Sequence, residues 1–246
     1  MLKIEIQTQP DDVTCGPTSL HSVYEYYADY ISLEQTVNET KSVQTGGTIA
    51  PLLALHALKR GYHCLIYAYN IDIFDPTWFN HKKLNNQQLI EKLKLQLNYK
   101  RNSRIIESSE AYIHFLELGG IVSQKNLTVQ LLKMIFKQKI PIITGLSATY
   151  LYQSMREYEN PQKEKNGKVI DSTVYDDLIG MPAGHFVVLC GYDKTHRHVV
   201  VADPHKANPI SGDNYYKVSI SRLINSIMLG VLTYDANLLL ISKKTS

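Results

Sequence analysis

Residues 9–17 read Gln9-Pro10-Asp11-Asp12-Val13-Thr14-Cys15-Gly16-Pro17. The stretch opens as a turn, because Pro10, Asp11 and Asp12 are residues that start turns. It closes as a helix start: Pro17 suits a first helical turn, where its missing N–H removes no hydrogen bond. Leu20, Val23, Tyr24 and Tyr27 then recur at helical spacing. Cys15 therefore stands at the mouth of a helix. The helix macrodipole places partial positive charge there, which favours a thiolate, and the thiolate is the form that attacks a carbonyl. Its small and turn-forming neighbours, Thr14, Gly16, Pro17, Thr18 and Ser19, leave the sulfur accessible.

Upstream, residues 2–6 alternate apolar and charged side chains, the pattern of a short strand. Downstream, Thr45-Gly46-Gly47-Thr48 is a loop feeding a second helix, with Thr48 as candidate N-cap, Leu52, Leu55, His56 and Leu58 along it, and Gly61 at its end. Residues 62–69 read as a buried strand. Helices follow at 84–97, about 109–118 and 127–136, then a strand at 142–144. Residues 150–181 are long, polar and rich in Lys, Glu, Asn and Asp, which marks a functional loop or lid. Apolar, β-branched strands then come in quick succession at 186–191, 199–202, 214–218 and 237–242. Helices first and strands second imply an α+β fold with the helices grouped on one side. With no internal repeat and no low-complexity tract, residues 1–246 read as one domain.

Hydrophobic residues make up 44% and charged residues 20%, near the globular average, which excludes disorder across the whole chain. A net charge of +3 is too small to point to nucleic acid. The lysine groups at Lys82-Lys83, 163–168 and Lys243-Lys244 read as solvated faces. Tyrosine outnumbers Phe and Trp, 17 against five and one, and suits half-wet clefts. The apolar runs are far shorter than the roughly 18 residues a membrane span needs. Residues 1–7 lack the apolar core and cleavage site of a signal peptide. Three widely spaced cysteines, Cys15, Cys64 and Cys190, argue against a disulfide framework and against a structural zinc site. The expectation is a soluble, cytoplasmic protein in which a lone thiol stays free to react. Cys64 and Cys190 sit in apolar strand-like runs and read as inert core thiols. No cofactor is expected. His196 and His198 stand in an exposed turn without a ligand cluster of zinc spacing.

Three further residues are placed where a chemical role puts them. His185 opens a strand directly after Gly184, and a glycine there lets backbone or substrate approach closely. His21 and His56 fall within helices and read as structural or surface residues. Asp203 follows the 199–202 strand and precedes Pro204; an acid at that strand end is able to hold an imidazole in one tautomer. Gln9 lies six positions before Cys15, where its amide, with the Cys15 backbone N–H, is able to bind the oxyanion of a tetrahedral intermediate.

Together these segments resemble the bacteriocin-processing, double-glycine-leader cysteine peptidase family of the papain-like superfamily. Residues 9–17 resemble its nucleophile segment. Gly184-His185-Phe186-Val187-Val188-Leu189-Cys190-Gly191-Tyr192-Asp193 resembles its histidine strand, and Val201-Ala202-Asp203-Pro204 its acid segment. The resemblance implies a papain-like fold, with an N-terminal helical part carrying the nucleophile helix and a C-terminal antiparallel β-sheet carrying His and Asp. It implies a bacterial thiol protease with Cys15 as nucleophile, His185 as base, Asp203 as orienting acid and Gln9 as oxyanion donor. The long spacing from Cys15 to His185 implies a helical insertion at about 84–118 and a candidate lid loop at about 150–181. Family members that export bacteriocins carry membrane spans and an ATPase; this sequence is similar instead to stand-alone members. Residues 144–152 also look like cytosolic members found beside ATP-grasp peptide ligases. The implied substrate is a peptide or amide-tagged protein, including a peptide made by such a ligase, with no nucleic-acid or membrane partner. Two alternatives use the same cleft: an acyltransferase that passes the acyl group to an amine, and an inactive peptide-binding module.

Overall fold

The computed structural model describes residues 1–43, 47–163, 169–233 and 235–244; for residues 159, 161–163 and 169–172 it describes the backbone alone. Thr45 and Gly46 of the expected glycine loop, and residues 164–168 of the lysine group and candidate lid, lie outside the described residues. The first helix, α1, spans Cys15–Tyr26, and its stripe of Leu20, Val23 and Tyr24 is fully buried. Then come α2 (Leu33–Glu39), α3 (Ala50–Lys59), β1 (His63–Ala68), α4 (Thr77–Asn80), α5 (Asn86–Leu97), α6 (Ser103–Glu117), β2 (Ile121–Ser123), α7 (Val129–Lys137), β3 (Ile142–Ser147) and α8 (Ala148–Tyr152). The remainder is β4 (Glu157–Lys163), β5 (Val169–Tyr175), β6 (Gly184–Asp193), β7 (His198–Ala202), β8 (Tyr215–Ser219), α9 (Ile220–Leu229) and β9 (Asn237–Ser242).

The main sheet has seven strands in the order β2-β1-β9-β3-β6-β7-β8. β1 and β2 are parallel; the other pairings are antiparallel. Successive side chains on a strand face opposite ways, so each buried strand feeds two cores. On β6, Phe186, Val188 and Cys190 join the core that holds α1, α3, α5 and α6, with Leu20, Leu53, Leu93 and Phe115. Val187 and Leu189 of the same strand join the core under α7 and α9, with Leu132, Leu223 and Ile227.

The fold is α+β, as the sequence pattern indicates, but its layering corrects three expectations. Helices cover both faces of the sheet, because β6 and β9 are apolar on both sides and each face needs a cover. The sheet is not confined to the C-terminal half: β1 and β2 belong to it, and their parallel pairing makes it mixed. Residues 150–181 are not one loop. They hold the end of α8 and the antiparallel β4–β5 ribbon, whose Glu-Tyr-Glu-Asn composition lacks the apolar alternation that marks a half-buried strand.

Smaller corrections have local causes. Residues 2–6 run extended with Ile4 and Ile6 buried, yet the Leu2 N–H bond to the Cys190 carbonyl at 2.8 Å does not extend into a ladder. Helix α3 begins after Ile49, and Thr48 instead donates to the Lys41 carbonyl at 3.0 Å. Helix α6 starts at Ser103, capped by Asn102, ahead of the expected 109. α2 and α9 are further helices, each capped by a serine, Ser32 and Ser219.

Candidate active site

Cys15 is the first residue of α1 and is partly exposed. The turn before it is knotted by Thr14, whose hydroxyl donates to the Asp11 carbonyl at 3.2 Å, while Thr18 donates back to the Thr14 carbonyl at 2.8 Å. One helical turn further on, the Ser19 hydroxyl donates to the Phe186 carbonyl at 3.2 Å. That bond stitches α1 to β6 one residue past His185. Cys15 and His185 thereby line one pocket, near enough that the cysteine acts electrostatically on the imidazole. Gly184 has a packing role as well as proximity to the cleft: a Cβ there would stand 2.8 Å from the Thr233 hydroxyl oxygen.

On its far side His185 meets Asp203. Nε2 lies 2.8 Å from Asp203 Oδ1, and the carboxylate is fully buried. Asp203 is held on every side. Oδ1 also accepts from the His205 backbone N–H at 2.8 Å. Oδ2 accepts from the Tyr152 hydroxyl at 2.8 Å and the Tyr216 hydroxyl at 2.7 Å. The Asp203 backbone exchanges bonds with Asn214, N–H to carbonyl at 2.8 Å and carbonyl from Nδ2 at 2.7 Å. A buried carboxylate with four donors is fully satisfied and fixed in orientation.

Burial by itself disfavours the charged imidazole, but the negative charges of Asp203 and Cys15 outweigh it and raise the His185 pKa above the ordinary imidazole range. For Asp203, burial opposes ionisation, while His185, Tyr216 and the His205 N–H lower its pKa below the ordinary carboxylate value. Both directions favour an imidazolium paired with carboxylate. Cys64 and Cys190 are buried in the sheet, where desolvation pushes each thiol up to about 12.

Gln9 stands on the same rim. Its backbone N–H bonds the Pro204 carbonyl at 2.9 Å, which ties the nucleophile loop to the acid segment. Its side-chain Nε2 donates to the Asp11 carbonyl at 2.8 Å. An amide has two such hydrogens, so one remains to be offered. The structure thus gathers Cys15, His185, Asp203 and Gln9 in one place. His21 and His56 are buried apart from them, bonded to the Ile31 carbonyl and the Tyr24 hydroxyl.

Two hollows flank His185 and share Asp12 and Gly184. A groove of about 600 Å³ runs between Gln9, Tyr152, His205 and the β4–β5 ribbon, which contributes Glu157, Thr173 and Tyr175. A pocket of about 300 Å³ lies on the Cys15 side, between Gly47, Thr48, Phe186 and Thr233. Tyr152 and Tyr216 are site residues that the sequence reading passes over. The signal for Tyr216 is its register: it pairs with Val201 on the strand leading to Asp203. Tyr152 has no local signal, being 51 residues from its partner.

A helix that opens on a free cysteine, stitched to a histidine-bearing strand of a mixed sheet, is the arrangement of papain-like cysteine peptidases. Residues 1–225 match the model of the Peptidase_C39 like family, so the chain belongs to that family and is a papain-like cysteine peptidase. Among solved structures it is similar to a C39-like peptidase from Bacillus anthracis, at 15% identity and a TM-score of 0.51, over 100% of this chain and 98% of that one. At that identity the likeness speaks for the fold. The peptidase domain of Streptococcus ComA, a bi-functional ABC transporter, matches at 14% identity and a TM-score of 0.43, over 98% of this chain and 100% of that one. A double glycine motif protease from an AMS/PCAT transporter, solved with its leader peptide, matches at 15% identity and a TM-score of 0.43, over 99% and 94%. No curated protein matches the chain. No helix among the described residues is long and apolar enough to cross a membrane.

Proposed function

We propose that this peptidase hydrolyses a peptide or amide bond through an acyl-enzyme on Cys15. The observation that carries the reading is the convergence of Cys15 and His185 on one pocket, with Asp203 Oδ1 2.8 Å from His185 Nε2. The raised pKa of His185 suits the imidazole to hold the proton that Cys15 gives up. The Cys15 sulfur attacks the carbonyl carbon and a C–S bond forms. The oxyanion accepts hydrogen bonds from the Cys15 backbone N–H and the second amide hydrogen of Gln9. His185 gives its proton to the leaving nitrogen, and the C–N bond breaks. His185 then takes a proton from water, which attacks the thioester and releases the acid. Asp203 keeps the imidazole in one tautomer throughout.

In this reading residues 1–246 act as one domain, with α5 and α6 as the insertion over about 84–118. The β4–β5 ribbon serves as the lid. It reaches the chain directly ahead of His185 through paired bonds between Glu157 and Met181, N–H to carbonyl at 3.1 and 2.8 Å. Three thiols without a disulfide suit a reducing bacterial cytoplasm. The substrate is a peptide or amide-tagged protein, and the resemblance of residues 144–152 names a peptide from an ATP-grasp ligase as one source. Transfer of the acyl group to an amine uses the same residues and differs only in the acceptor.

The test is incubation with a peptide library, read by mass spectrometry with and without added amine. Wild-type protein should generate new termini, and Cys15→Ala none. Equal cleavage by Cys15→Ala would sink the proposal, and amine-capped products would replace hydrolysis by transfer.

A further inference from the structure

The pocket on the Cys15 side has a polar floor that the hydrolytic steps leave unused. Asp235, just ahead of β9, lines it at 7% exposure. The Ala50 backbone N–H at the start of α3 favours the ionised form of its carboxyl, but its Oδ1 is buried with no hydrogen-bond partner. A buried polar atom without a partner is costly. The fold nevertheless makes room for it. The Asp235 N–H is anchored on the Gly230 carbonyl at 3.0 Å. On β3, Gly145 is the residue beneath it: a Cβ there would stand 2.6 Å from the Asp235 Cβ and 2.3 Å from its carbonyl oxygen. A side chain at 145 would therefore force the Asp235 segment to shift. The same hollow is lined by Cys15 and His185, so a substrate residue flanking the bond under attack reaches it.

We propose that this pocket is a subsite for the carboxamide side chain of a glutamine or asparagine residue beside the scissile bond, with Asp235 as its specificity-determining residue. The inference rests on the peptidase reading and deepens it. The ligand must bring a hydrogen-bonding group to Oδ1. Arg104 lines the pocket too, and its positive charge disfavours an ammonium or guanidinium group there. Burial pushes the Asp235 carboxyl up to about 8 against the pull of Arg104, so both of its forms are populated near neutrality. A carboxamide suits either form: its NH2 donates to the carboxylate, and its C=O accepts from the acid. A carboxylate ligand suits only the protonated form. A thioether or alkyl side chain of the same length leaves Oδ1 unpaired.

The experiment is protection of Cys15 from iodoacetamide by alanine-based hexapeptides carrying a single Gln, Asn, Met, Leu, Glu or Lys, with alkylation sites read by mass spectrometry. The Gln or Asn peptide should half-protect at a concentration at least tenfold below its Met or Leu counterpart, at pH 6 and at pH 9 alike. Asp235→Ala should lose that difference. Asp235→Asn, the safer variant for folding, should keep it, while removing the pH dependence that protection by the Glu peptide shows in wild type. Equal protection by Gln and Met peptides overturns the subsite, as does strongest protection by Lys or Glu. The wild-type ranking alone decides if Asp235→Ala does not fold. Failure of iodoacetamide to label Cys15 in the absence of peptide would instead refute the nucleophile assignment.

Discussion

Cys15 and the two core thiols are the same side chain in opposite surroundings. Cys64 and Cys190 lie within strands of the main sheet, 3% exposed, each with a backbone carbonyl as its hydrogen-bond acceptor at 3.6 and 3.5 Å. Burial pushes both up to about 12, so they stay protonated and inert. Cys15 opens a helix, reaches the cleft and lines one pocket with an imidazole that is itself backed by a buried carboxylate. On the proposed reading, reactivity comes from this scaffold of helix end, strand end and hydrogen bonds, and the thiol itself contributes only the atom that attacks.

The sharpest way to break the comparison is to exchange the roles of the thiols. Cys15→Ala should lower kcat for peptide cleavage about 10⁶-fold, the scale for loss of a nucleophile. Cys64→Ala should leave kcat within twofold and lower stability by about 1 kcal/mol, read as a fall in Tm. A catalytic loss in Cys64→Ala would erase the distinction.

Asp203→Asn should cost about 10⁴-fold in kcat, because the imidazole loses its orienting acceptor. It should also move the pH profile in one direction. Asp203 raises the His185 pKa, so the imidazolium persists above its ordinary value of 6.5 and activity is lost only as pH rises through the raised value. Removing that negative charge brings the alkaline limb down. A limb that stays in place in Asp203→Asn would show that Asp203 does not govern His185.

Gln9→Ala should cost about 10² to 10³-fold in kcat with little change in KM, the signature of a donor used in the transition state. The smallest effects belong to the two tyrosines. Each donates to the same oxygen of Asp203, so Tyr152→Phe and Tyr216→Phe should each lower kcat about tenfold. The double variant should lose less than the product of the two, since contacts on one atom couple. Full additivity would mean that the tyrosines act separately from Asp203.

The four residues proposed for the site stand out in the sequence because each carries a local signature. Cys15 has Gly16-Pro17 after it, His185 has Gly184 before it, Asp203 sits between a strand and Pro204, and Gln9 opens the nucleophile turn. The sheet strands were legible for a related reason: runs such as 186–191 and 237–242 are apolar on both faces. That same property, read as burial alone, concealed the second helical layer. The ribbon of β4 and β5 was hidden because its strands pair with each other and need no apolar code. Tyr152, Tyr216 and Asp235 were hidden because the roles proposed for them lie in what folding brings against them. Nothing near Asp235 in sequence announces the missing Cβ of Gly145.

The most direct test of the contrast among the thiols is site-resolved alkylation of the folded protein at neutral pH, with all three cysteines followed in one sample by mass spectrometry. Cys15 should react at least 10²-fold faster than Cys64 or Cys190, and His185→Ala should bring its rate down toward that of an ordinary exposed thiol. Alkylation going mainly to Cys64 or Cys190, or a Cys15 rate indifferent to His185, would contradict the assignment of Cys15 as the nucleophile.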